Sequence, residues 1–131
     1  MKATNIAKII TNELIKRNFI VHRYNSKSTS SIYLKLDYGV ACAIRIADHP
    51  GKKKYSYRFN IIKNYSGNKI IIKDGLICYF YDFSELNSVI KAVQKEKDTK
   101  IKKYGIDNYK KFMIRNSQNE LYIRFKKVKG E

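Results

Sequence analysis

The first eighteen positions carry apolar residues at helical spacing: Ile6, Ile9, Ile10 and Leu14 share one face. Thr4 stands where an N-cap belongs, and Asn18 tolerates the left-handed conformation that ends a helix. The pattern then changes to period two and to β-branched and aromatic residues. Phe19 to Tyr24, Ser31 to Leu36, Val40 to Ile46 and Tyr55 to Ile62 read as successive strands. Asp37-Tyr38-Gly39 marks a turn between the second and third, and the polar run Asp48 to Lys54 must be exposed. Lys69 to Lys73 and Leu76 to Tyr81 flank Asp74-Gly75, a pair that favours a tight hairpin.

Helical spacing returns after Asp82, which has Glu85 three residues later as a capping-box partner. Leu86, Val89, Ile90, Val93, Ile101 and Tyr104 form the apolar stripe, while Lys91, Lys95, Asp98 and Lys102 share another face. Gly105 interrupts, and Asp107 can cap a further helix through Arg115. Leu121 to Phe125 alternates like an edge strand. This order predicts an α+β fold: an N-terminal helix, an antiparallel β-meander of about five or six strands, and C-terminal helices. No linker or repeat divides the chain, so residues 1–131 read as one domain.

Charge changes the picture most. The chain has 28 Lys+Arg against 11 Asp+Glu, a net +17. Self-repulsion of that size weakens a compact state, so it points to a polyanionic partner, of which nucleic acid is the commonest. Residues 1–90 carry 15 basic and 6 acidic side chains (+9), and residues 91–131 carry 13 and 5 (+8), so the density rises toward the C-terminus. The 44% of apolar residues excludes a disordered basic tail. The 11 Tyr suit half-buried strands and can also stack on bases. Cys42 and Cys78 match no zinc or redox spacing and read as reduced core residues. With no signal peptide or membrane span in view, the expected place of action is the cytoplasm in which the chain is made.

Enzymatic chemistry finds little support. His22 lies inside a strand, and His49 in Asp48-His49-Pro50 is a candidate for toxin-like RNase chemistry. A turn that uses Asp48 as a backbone cap and Pro50 for its fixed φ explains the same residues. The carboxylates are scattered over turns and caps, without the cluster a magnesium-dependent nuclease needs. No phosphate loop or metalloprotease motif appears. The expectation is a protein that is not an enzyme, with no catalytic residue, metal or cofactor.

Binding residues are easier to nominate. Lys52, Lys53 and Lys54 stand on an exposed turn, followed by Tyr57 and Arg58, so phosphates and a base could be engaged together. A solubilising loop accounts for the same lysines. Lys91, Lys95 and Lys102 form a basic helix face that reads as a binding patch not neutralised by acids, or equally as the charged face of an exposed helix. Arg45 alternates with Ile44 and Ile46 and therefore lies on the opposite sheet face from them. Arg58 joins it if the register allows, and Lys35 extends the same basic sheet surface. A bidentate guanidinium there suits phosphate or a partner carboxylate, although an exposed strand residue that discourages edge aggregation reads the same way.

Three segments carry a resemblance. Ser28-Thr29-Ser30-Ser31-Ile32-Tyr33, then Ile44-Arg45-Ile46-Ala47-Asp48-His49-Pro50, then Tyr57-Arg58-Phe59-Asn60 resemble a module of small phage and mobile-element proteins. Their hosts are low-GC Gram-positive bacteria, and some type II anti-CRISPR proteins end a similar strand in Ile-Arg-Leu-Ser-Asn-His. Ala47 stands where that family usually has Ser. The similarity spans residues 24–62, with further likeness around Lys102-Lys103-Tyr104-Gly105 and Asp107-Asn108-Tyr109. It implies a monomeric or homodimeric inhibitor that binds a CRISPR effector ribonucleoprotein and blocks DNA loading or cleavage. Such a basic inhibitor would grip guide RNA or an acidic protein surface. A stand-alone phage DNA- or RNA-binding protein is the alternative.

Overall fold

The computed structural model describes residues 3–26, 31–46, 57–61, 69–73, 76–81, 85–118 and 124–129; for 57–61, 69–73 and 76–81 this is the backbone alone. Helix α1 spans Ala3–Lys16 and buries Ala3, Ile6, Ala7, Ile10, Thr11 and Leu14. Ile9, expected on that stripe, is 43% exposed. At about 100° per residue it falls roughly 120° from the stripe's centre, and Ala3 and Ala7 take the inner positions instead. Thr4 lies inside the helix and is not its cap. The end matches expectation: Asn18 has φ 67°, and the Phe19 amide turns back to donate to the Leu14 carbonyl at 3.0 Å.

The strands are β1 (Val21–Asn25), β2 (Ile32–Leu36), β3 (Cys42–Ile46), β4 (Tyr57–Ile61), β5 (Lys69–Lys73), β6 (Leu76–Tyr81) and the two-residue β7 (Lys126–Lys127). All described pairings are antiparallel, in the spatial order β5-β6-β4-β3-β2-β1-β7. This departs from a simple meander, because β6 rather than β5 lies beside β4. Only two residues separate β5 from β6, which keeps them paired, whereas residues 62–68 give the chain length to cross to the far edge. A terminal edge strand forms at Lys126–Lys127; of the expected Leu121 to Phe125, residues 124 and 125 are not in a strand and 121–123 lie outside the described residues.

One face of β1–β3 builds the core. Val21, Ile32, Leu34, Leu36, Cys42, Ile44 and Ile46 are buried against Ile6, Ala7, Ile10 and Leu14 of α1 and against two residues of α2, Val89 and Val93. Each fully buried branched side chain contributes about 1.5–3 kcal/mol relative to exposure. Burial also pushes the Cys42 thiol up, away from the reactive thiolate.

Helix α2 spans Leu86–Tyr104 and α3 spans Ile106–Ser117. Glu85 occupies the N-cap position of α2 without a side-chain capping bond, and Gly105, not Asp107, is the N-cap of α3. Asp82 lies outside the described residues. Past Val93 the α2 stripe leaves the core, and Tyr104 is 41% exposed. Polar contacts take over there. Asp37 is fully buried at φ 52° in the β2–β3 turn. Its carboxylate accepts the Ile20 amide at 2.8 Å and the Tyr109 hydroxyl at 2.5 Å, and pairs with Lys97 at 3.0 Å. Lys100 donates to the Val40 and Ala41 carbonyls at 2.8 and 2.7 Å. Thus one turn anchors both C-terminal helices.

Candidate nucleic-acid interface

Alternation along the strands leaves the outer face of the sheet, away from α1 and α2, to Tyr33, Lys35, Ala43 and Arg45, all half-buried. Strand register converts this into a line. Tyr24 is opposite Tyr33, Tyr33 opposite Arg45, and Arg45 opposite Arg58. Arg58 is opposite Phe80, and Phe80 opposite Lys69. Six strands therefore contribute one row of three aromatic and three basic residue positions, about 24 Å long at the usual strand spacing.

Side-chain geometry supports the Tyr24 half of this row. The Arg45 guanidinium donates to the Ser31 hydroxyl through Nε and Nη2 at 3.2 and 3.1 Å, and lies 5.9 Å from the centre of the Tyr33 ring. The Tyr24 and Tyr33 rings are 6.2 Å apart, and Phe125 reaches over from the C-terminal segment to lie 5.5 Å from Tyr24. Lys35 Nζ is 4.7 Å from the Phe125 ring centre, and partial burial lowers the lysine pKa. A held guanidinium beside flat rings is suited to a phosphate with a neighbouring unpaired base.

His22 shares the outer face, next to Lys35 in the register. It is nearly buried, and its ring centroid lies 4.8 Å from that of Tyr38. Its pKa is lowered, first by burial and then by Lys127 and Lys35. That environment holds it neutral, as a packing residue. His49 lies outside the described residues, as do Lys52, Lys53 and Lys54.

Of the remaining expected residues, Arg58 meets the register condition for joining Arg45. Tyr57 does not share that position; it stands opposite Ile46, a core residue. Lys91, Lys95 and Lys102 are exposed and line one groove of about 340 Å³ with Arg17, Gln94, Asp98 and Thr99. Asp98, which the helical spacing already puts on this face, lies in the groove, so the lysines are not without an acid nearby: Asp98 accepts from Gln94 at 2.9 Å, while Arg17 pairs with Glu13 at 3.5 Å. The structure therefore divides the sequence-nominated residues between two faces, since α2 packs against the core side of the sheet.

Sequence reasoning missed Tyr24, Tyr33 and Phe125. For the first two a signal was available, since tyrosines in half-buried strands can also stack on bases, but only the strand register shows which of them stand beside Arg45. Phe125 had no signal, because its position depends on the chain's return to β1. Among the described residues no group of three or more His, Cys, Asp or Glu side chains is placed to hold a metal ion, and no helix is long and apolar enough to cross a membrane. No protein-family model, curated protein or solved structure matches this chain.

Proposed function

We propose that this protein acts by binding rather than by chemistry, its outer sheet face gripping an unpaired nucleic-acid strand carried by a CRISPR effector ribonucleoprotein. The observation that carries the grip is the cross-sheet row Tyr24–Tyr33–Arg45–Arg58–Phe80–Lys69. Aromatic and basic positions sharing one row suit a single strand, whose bases are free to stack while its phosphates meet the cations. A duplex hides its base faces and would use the cations alone. The ribonucleoprotein as target rests on the resemblance around Ile44-Arg45-Ile46 and on a charge too positive for DNA mimicry. Occupying RNA that the effector must expose would block DNA loading without cleavage, in the host cytoplasm.

A pull-down from host lysate at physiological salt, with and without nuclease, tests this. A stoichiometric effector complex is the expected result; recovery of nuclease-sensitive RNA or DNA alone would discard the ribonucleoprotein target. That second outcome corresponds to a stand-alone nucleic-acid-binding protein, a reading favoured because the row itself requires no protein partner. For the grip, Tyr33→Leu keeps a β-compatible apolar side chain but removes the stacking surface. Its affinity for a single-stranded oligonucleotide should fall by the equivalent of about 1–3 kcal/mol, read by fluorescence anisotropy. Unchanged affinity with an unchanged melting temperature would remove the outer face from the proposal.

A further inference from the structure

A pocket of about 150 Å³ opens on the core side of the β1 edge, lined by Lys8, Thr11 and Asn12 of α1, Arg23 of β1, and Val128 and Lys129. None of these six residues is acidic. Thr11 is only 2% exposed, and its Oγ1 makes no hydrogen bond. A mid-helix threonine usually returns its hydroxyl to a carbonyl one turn back, so an uncompensated one is a costly feature without a ligand. Three cationic side chains, an amide and a hydroxyl are together the donor set of a phosphate monoester. A volume several times the roughly 30 Å³ share of one water accommodates a tetrahedral oxyanion.

The pocket is connected to the outer face. A second depression, lined by Arg23, Tyr24, Asn25, Arg124, Lys126 and Val128, shares Arg23 and Val128 with it. β7 pairs only with His22 and Arg23, so the β1 edge is left uncovered by it at Tyr24 and Asn25. The path therefore runs from the Tyr24 end of the aromatic row, round the sheet edge past Arg124 and Lys126, to Thr11.

We infer that this pocket binds the terminal phosphate monoester of the strand whose bases lie on the outer face. The inference rests on the nucleic-acid grip proposed above. A strand end, unlike an internal phosphodiester, carries the second negative charge and third free oxygen that this many donors can satisfy. Because Thr11 Oγ1 is sealed from bulk water, the phosphate reaches it only as a neighbouring side chain gives way. Lys8 and Lys129 have flexible stems that permit this at the cost of rotamer freedom.

The test compares single-stranded RNA 12-mers bearing a 5′-phosphate, a 3′-phosphate or hydroxyls at both ends, by anisotropy at physiological salt. One phosphorylated end should bind about tenfold tighter than the hydroxyl form. Thr11→Val, which keeps the shape, should lose most of that preference while binding the hydroxyl form as before; Lys8→Met should do the same. Equal affinity for all three oligonucleotides overturns the inference and leaves the grip standing. If none binds, the grip fails, and the pocket is judged by titrating inorganic phosphate into ¹⁵N-labelled protein. Saturable shifts confined to residues 8–12, 23 and 128–129 and absent in Thr11→Val support an oxyanion pocket; their absence overturns it. The same titration, as a competitor, distinguishes a site for free phosphate from one for a strand end: millimolar phosphate erases the end preference only if the two share it.

Discussion

Asp37 is the residue on which most depends. It is a buried carboxylate satisfied by a backbone amide, a tyrosine hydroxyl and a lysine, and each donor comes from a different part of the chain. Removing it leaves Lys97 without its carboxylate and frees the Tyr109 hydroxyl. Asp37→Ala should lose about 3–5 kcal/mol, the usual penalty for breaking a buried pair, in urea denaturation. Asp37→Asn tolerates the same left-handed backbone and should lose less. His22 gives a second prediction. Its folded pKa lies below its ordinary 6.5, so the unfolded chain binds more protons between those two values. Stability from this group is complete above about pH 6.5 and is lost as pH falls toward the folded value. Urea midpoints measured from pH 8 to 5 should show that decline, and His22→Gln should flatten its share. Asp37 was visible in the sequence as a turn residue, but its role as an anchor was not. Turn chemistry is local, whereas Tyr109 and Lys97 reach it only after the helices dock.

At the scale of elements, strand identity was largely legible, because period-two runs of β-branched and aromatic residues are strong local signals. Cys42–Ile46 and Ile32–Leu36 lie within the segments that pattern marks. The placement of β6 beside β4 was not legible, since hairpin chemistry sets only the partner across the turn. Helix ends were read less well where capping is indirect: Glu85 and Gly105 stand at the N-caps of α2 and α3 without a side-chain capping bond. Gly105 is nevertheless specific. At φ 83° and ψ 152° it holds a conformation that residues with a Cβ rarely enter, while no atom would crowd an added methyl group. Gly105→Ala should therefore cost about 1–3 kcal/mol from the backbone alone. Thermal unfolding should show the loss, with NMR shifts at Tyr109 as the α2–α3 angle changes. A neutral substitution would mean that the two helices can run on as one.

For the molecule as a whole, the described basic residues nominated from the sequence fall on two separate sides. Lys91, Lys95 and Lys102 line a groove on the helix side, and Lys35 and Arg45 belong to the outer sheet face. The sequence shows how many cations exist, but only register shows which of them share a surface with aromatic rings. This separation makes a salt experiment informative. Each phosphate contact with a single strand adds about 0.7 to the slope of log affinity against log salt. Arg45→Gln should therefore reduce the slope by about that amount, whereas Lys95→Gln on the other side should leave it unchanged for a short oligonucleotide. Equal reductions would show that the strand does not discriminate between the faces.

The Asp37 anchor also sets a clock. Its partner Tyr109 lies 72 residues further along the chain. At a synthesis rate of about 5–20 residues per second, that hydroxyl follows the carboxylate from the ribosome by about 4–14 seconds. Throughout that interval the nascent sheet holds an acid that it cannot yet bury at low cost. Messages truncated between codons 46 and 97 should accordingly yield chains that contain β1, β2 and β3 but are degraded, because closing the β2–β3 corner awaits residues not yet translated.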